Sequence, residues 1–174
     1  MSLRLLLGGA RSGKSALAVR LAESWGGPVV FVATAEARDA DMAERIEQHR
    51  RDRPARWTTV EEPVELVAAL GAAPADAFVL LDCLSLWVAN AMESGWGEDR
   101  IHEAARAGAT LLSGRSSPSV VVSNEAGLGV VPATELGRTY RDMLGRVNAI
   151  FAEAADSAQL IVAGRALDLG SPPA

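Results

Sequence analysis

Leu3-Arg4-Leu5-Leu6-Leu7-Gly8-Gly9-Ala10-Arg11-Ser12-Gly13-Lys14-Ser15-Ala16-Leu17 is the stretch that decides the fold. Its first five residues form an apolar run broken only by Arg4 and closed by glycines, the pattern of a short buried strand. Residues 16–23 place good helix formers at helical spacing. Between them Gly8, Gly13, Lys14 and Ser15 meet the full phosphate-loop pattern, in the strand-loop-helix context that the pattern requires. The chemistry explains the residue types. Glycines let backbone N–H groups of Gly8, Gly9, Ala10, Arg11, Ser12 and Gly13 turn inward around phosphates, and the helix that follows adds its positive end. Lys14 supplies a charge near the β and γ phosphates, and the Ser15 hydroxyl is placed to hold Mg²⁺.

Outward from this loop the chain alternates. Strands are expected at Pro28 to Ala33, Trp57 to Val60, Phe78 to Leu81, Pro118 to Ser123 and Gln159 to Ala163, and helices at Asp39 to Arg53, Pro63 to Leu70, Leu84 to Met92 and Asp99 to Leu112. The strongest helical stripe is Leu136, Tyr140, Met143, Leu144, Val147, Ile150, Phe151 and Ala154. Continuous apolar strands alternating with helices describe a parallel sheet covered on both faces, so the fold class is α/β, a three-layer P-loop NTPase-like domain with a mostly parallel central sheet. At 174 residues, 49% of them hydrophobic, one domain over 1–174 is expected, with about 165–174 a frayed, proline-ending tail.

The net charge of -5 argues against a nucleic-acid backbone as partner. No apolar run reaches the roughly 18 residues of a membrane span, and residues 1–7 lack a signal-peptide pattern, so a cytoplasmic protein is expected. The single cysteine, Cys83, reads as a small buried residue. Trp25, Trp57, Trp87 and Trp96 follow no spacing and read as packing, while His102 reads as a surface helix residue.

In open parallel sheets ligands bind beyond the carboxyl ends of the strands, where Gly8, Thr34, Asp82 and Asn124 all fall. Asp82 ends the strand Val79-Leu-Leu-Asp82, as a metal-holding Walker B acid does, although ordinary strand ends also finish this way. The loop from Asn124 and Glu125 through Gly127 and Gly129 to Pro132 is either a binding loop or a tight structural turn. His49 follows Met42 and Ile46 at i, i+4, i+7, so it faces the apolar side of its helix, either as a packed side chain or as a nucleophile toward an α-phosphate. Arg50, Arg51, Arg53 and Arg56 around Asp52 are either a phosphate-neutralising cluster or a solvated face.

These residues resemble a family over nearly the whole chain. The resemblance is carried by residues 8–15, Val32-Ala33-Thr34-Ala35, Arg45-Ile46 with His49, Arg53-Pro54, Trp57, Leu80-Leu81-Asp82, Asn124-Glu125 through Pro132, and Gly145-Arg146-Val147-Asn148. Their order and spacing are similar to those of the bifunctional adenosylcobinamide kinases and adenosylcobinamide-phosphate guanylyltransferases of cobalamin biosynthesis. The resemblance implies two steps: transfer of a γ-phosphoryl group from ATP or GTP to adenosylcobinamide, then transfer of GMP from GTP through a guanylyl-histidine to give adenosylcobinamide-GDP. By position His49 matches the guanylylated histidine. Residues 8–15, Ala33, Thr34, Ala35, Arg50, Arg51, Asp52, Arg53, Glu61 and Asp82 match the nucleotide contacts, and Ser15 and Asp82 the Mg²⁺ ligands. Family members can carry Glu at the Asp82 position and a second histidine where this chain has Gln48. They form cytoplasmic homotrimers. Two other readings stay open, a P-loop kinase that uses only the γ-phosphate and a GTP-binding switch without transfer.

Overall fold

The structure is a computed structural model that describes residues 2–51 and 53–170, apart from the side chain of Arg45. Asp52 and residues 171–174 lie outside it. Among the described residues the elements follow in the order β1 (Leu3–Gly8), α1 (Lys14–Glu23), β2 (Val29–Ala33), α2 (Ala40–Arg51), β3 (Thr58–Glu61), α3 (Leu66–Gly71), β4 (Phe78–Asp82), α4 (Leu84–Glu93), α5 (Glu98–Ser113), β5 (Ser119–Asn124), α6 (Glu135–Ala154), β6 (Ser157–Val162) and β7 (Arg165–Leu169). The strands form one sheet in the order β3-β2-β4-β5-β1-β6-β7. β1 to β6 are parallel, and β7 pairs antiparallel with β6.

Two-residue alternation divides each strand between two cores. Leu3, Leu5, Leu7, Val79, Leu81 and Val121 face one side, with Trp87, Ile101, Leu144 and Phe151 from α4, α5 and α6. Leu6, Phe31, Leu80, Val120 and Val122 face the other side, where Ala18 and Ala22 of α1 close the layer. The sheet is therefore sandwiched as expected. Register aligns the strand ends on one edge: Gly8 pairs with Asn124, and Ala33 with both Asp82 and Glu61. The expected site residues share that edge.

Several boundaries differ, each for a physical reason. α3 starts at Leu66, three residues after Pro63, because the Glu62 carboxylate accepts from the Val64 and Glu65 N–H groups and holds a turn there. The freed carbonyls of Pro63 and Val64 accept from Asn90 Nδ2 and Trp87 Nε1 of α4. Residues 165–169, expected as frayed tail, form β7, and Gln159 Nε2 on β6 donates to Asp168 Oδ1 across the hairpin. His102 is not a surface residue. Its side chain is only 12% exposed, because α5 packs against both α3 and α6 and encloses a residue beside the buried Ile101-Ala105-Ala109 stripe. Trp57 and Trp87 are buried and Trp96 packs against the core, whereas Trp25 stays 37% exposed. Cys83 is buried as expected, beside the Ser85 hydroxyl, and burial pushes its thiol up to about 11.

Candidate active site

Beyond the carboxyl edge lies a cavity of about 1100 Å³. One wall is the phosphate loop, from Ala10 to Ser15. β1 ends in Gly8, where an added Cβ would come within 2.5 Å of the Ile161 carbonyl oxygen, so only glycine fits between the sheet and the loop. Arg11 and Gly13 adopt left-handed φ of 54° and 98°, which folds residues 10–13 back over the start of α1. Among the described residues no side chain caps α1, so its first amides remain available to an anion. Lys14 is buried, and its Nζ donates to the Gly9 carbonyl. Burial pulls its pKa down, while Cys83 and Asp82 oppose that shift.

Asp82 and Ser15 form the floor. The Asp82 carboxyl is pushed above the ordinary carboxylate value by enclosure, and His49, a hydrogen bond with Ser15, Lys14 and Arg53 pull it back. Groups of opposite charge thus converge where phosphates and a divalent cation would meet. Among the described residues no cluster of three or more His, Cys, Asp or Glu is able to chelate a metal unaided. A hydroxyl and one carboxylate, with the remaining positions left to water and phosphate oxygens, is the donor set Mg²⁺ accepts, so Ser15 and Asp82 fit it.

The opposite wall is α2. Asp39 Oδ1 accepts from the Met42 N–H at its start, and Met42, Ile46 and His49 line the cavity along one face, as the i, i+4, i+7 spacing predicts. His49 is exposed, not packed into the core. Arg53 lies with its guanidinium 4.0 Å from the Phe31 ring centroid, and its Nε donates to the His49 carbonyl. Burial first, and then Arg50, lower the Arg53 pKa. Arg50 is held between Glu47 and Glu61. Arg50, Arg53 and Glu61 line the cavity; Arg51 and Arg56 do not, so the expected cluster divides into two inward and two outward cations.

The residues after β2 divide similarly. Ala33 and Ala35 line the cavity, whereas Thr34 is fully buried and works on the backbone. Its hydroxyl donates to the Cys83 carbonyl and accepts from the Cys83 N–H, and its own carbonyl accepts from Asn90 Nδ2. Asn124 reaches the cavity, and Glu125, whose N–H donates to the Gly8 carbonyl, does not line it. Phe31, Glu36 and Leu86 line it without having been expected. Phe31 is the one with a readable signal, an aromatic on a buried strand next to Ala33. Glu36 sits in a loop with no periodicity.

The match to a family model decides the assignment: residues 4–169 match the model described as cobinamide kinase / cobinamide phosphate guanyltransferase. The chain belongs to this family. It is similar to the bifunctional adenosylcobalamin biosynthesis protein CobP of Pseudomonas aeruginosa, 44% identical with 97% of this chain and 98% of that protein covered. It is also similar to the CobU protein of Salmonella typhimurium, 37% identical over 92% of this chain and 95% of that one. More distant solved structures share the fold alone. They include a Pyrococcus horikoshii protein (TM-score 0.58, 7% identity, 96% of this chain and 85% of that one) and the RadB recombinase (TM-score 0.51, 14% identity, 91% and 73%). The kinase and guanylyltransferase character of the family fits a cavity in which a phosphate loop and a histidine share one space.

Proposed function

We propose that this chain phosphorylates adenosylcobinamide with ATP or GTP and then, through a guanylyl group on His49, transfers GMP from GTP to the new phosphate. The observation that carries the proposal is that His49 and the Lys14-Ser15-Asp82 group line the same cavity. A triphosphate in the loop presents its γ-phosphate beside Lys14 for the first step. For the second, the α-phosphate must lie toward α2.

In the phosphoryl step Lys14 neutralises the oxygens of the transferred group and the loop amides fix it, so that the acceptor hydroxyl meets it in line; positioning and charge stabilisation carry most of such reactions. Ser15 and Asp82 would hold Mg²⁺, which supplies further neutralisation when bound. In the guanylyl step a neutral ring nitrogen of His49 attacks the α-phosphorus of GTP, a P–N bond forms, the bond to the bridging oxygen breaks, and pyrophosphate leaves. Arg50 and Arg53 flank that position to stabilise the departing charge. The phosphate oxygen of adenosylcobinamide phosphate then displaces histidine and takes the GMP. His49 ends as it began.

Family resemblance supports cytoplasmic action as a homotrimer. Among the described residues no helix is long and apolar enough to cross a membrane. The test is mass spectrometry of the protein after GTP and Mg²⁺. One added GMP, acid-labile and located on His49, is expected, with none on a His49→Ala variant. Equal labelling of both proteins refutes the nucleophile, and γ-transfer with no protein-bound GMP favours a simple kinase.

A further inference from the structure

The turn between β6 and β7 meets the phosphate loop backbone to backbone, and none of the described residues of this hairpin lines the cavity. At its turn Ala163 and Gly164 both take left-handed φ, 51° and 76°. The Gly164 N–H donates to the Ser12 carbonyl at 2.8 Å. A Cβ added to Gly13 would stand 3.3 Å from the Gly164 Cα, so the two segments are packed closely enough that a side chain there would push its neighbour by a few tenths of an ångström.

A trans peptide is planar, with its C=O and N–H pointing in opposite directions. Fixing the Ser12 carbonyl outward on Gly164 therefore turns the next N–H, that of Gly13, inward. Gly13 lines the cavity at the start of α1, where inward amides hold phosphate. The rest of this peptide's surroundings do little to orient it. The Ser12 hydroxyl is buried with no hydrogen-bond partner among the described residues, and the Ser12 N–H makes a long 3.4 Å bond to the Gly9 carbonyl. The 2.8 Å bond from Gly164 is the short, well-directed constraint.

We infer that Gly164 is a positioning residue for the triphosphate: its N–H locks the Ser12–Gly13 peptide so that the phosphate loop is preformed before nucleotide arrives. This assigns a task to the C-terminal hairpin, which anchors the turn by pairing Ala158 to Val162 with Arg165 to Leu169. The position takes glycine for its torsion and not for space, since among the described residues no heavy atom beyond its own chain neighbours lies within 4 Å of a Cβ built there. Asparagine, which tolerates the left-handed region, should therefore serve in its place.

The inference rests on reading residues 8–15 as the triphosphate site, and the test separates the two. Glycolic acid in place of Gly164 converts one amide to an ester, deleting the N–H while leaving the torsions and the absent side chain as they are. Loss of one such hydrogen bond should raise the Kd for GTP about fivefold. The KM for adenosylcobinamide should stay close to that of the unmodified protein, the melting temperature should fall by no more than about 2–4 °C, and Gly164→Asn should bind GTP as the unmodified protein does. An ester protein that binds GTP with unchanged Kd overturns the inference, as does a parallel rise in Kd for GTP and KM for the acceptor, or an Asn variant weakened like the ester. An unmodified protein that fails to bind GTP overturns the parent reading, and this one with it.

Discussion

In the proposed function, Lys14 and His49 divide the chemistry at the level of single side chains. Lys14 is 8% exposed and its charge acts in an enclosed space, where electrostatic stabilisation exceeds its value in water. Replacing it with alanine should lower kcat for phosphoryl transfer by about 100-fold or more, measured with saturating ATP and acceptor. The His49→Ala change should separate the activities, since the proposed function gives the imidazole a role only at the α-phosphate: adenosylcobinamide phosphate should accumulate in the presence of GTP without conversion to the GDP derivative, a product chromatography resolves. That the loop and Asp82 would lie around one cavity was legible because both follow directly on apolar strands, β1 and β4, at the carboxyl edge of the sheet. The direction of the arginines was not. Arg53 is turned inward by its stacking on Phe31 and its bond to the His49 carbonyl, both contacts made by the folded chain. Thr34 was legible as a residue of the site edge, but its task, gripping the Cys83 peptide from both sides, depends on β2 and β4 being neighbours.

Among elements, α6 shows how a helix supports a site that it does not line. Thr134 caps it, accepting from the Gly137 N–H at 3.1 Å, and Met143, Leu144, Val147 and Phe151 bury the stripe read in the sequence. Asn148 interrupts that stripe and is only 5% exposed. Its Oδ1 accepts from the Ser123 hydroxyl and its Nδ2 donates to the Asn124 carbonyl, so α6 holds the end of β5 where Asn124 enters the cavity. Asn148→Ala strands both partners and should cost about 1–3 kcal/mol, seen as a lowered denaturant midpoint with an unchanged slope. Thr134→Ala should cost about 1 kcal/mol by loss of the cap. Helices with a buried stripe were read correctly to within a few residues. β7 escaped because all five of its residues are exposed, which removes the alternation a strand is recognised by. His102 was misread because a neighbouring-stripe position is enclosed only when a second helix packs alongside, as α6 does against α5.

On the scale of the whole molecule, the N-terminal segment is tied to the start of β6, its neighbour in the sheet, by a contact without any local sequence signal. Asp156, just before β6, accepts from the N–H groups of Leu3 and Ser2 and from the Ser2 hydroxyl, and these bonds hold its carboxyl below the usual carboxylate range. A depressed folded value means the stabilisation is complete above the unfolded carboxylate value of about 3.9 and is lost as pH falls through the folded one. Asp156→Asn should therefore flatten the acid limb of a stability-pH curve below about pH 4, with little change in shape near neutrality. The α/β class and the carboxyl-edge site were visible in the alternation of apolar runs, because burial on both faces leaves strands no other composition. Whether one nucleotide cavity serves both transfers is decided by titrating a nonhydrolysable β,γ-imido analogue of ATP against both reactions of the same protein. Equal inhibition constants for acceptor phosphorylation and for GMP appearing on His49 are predicted; guanylylation that continues undiminished while phosphorylation is blocked would contradict a shared cavity.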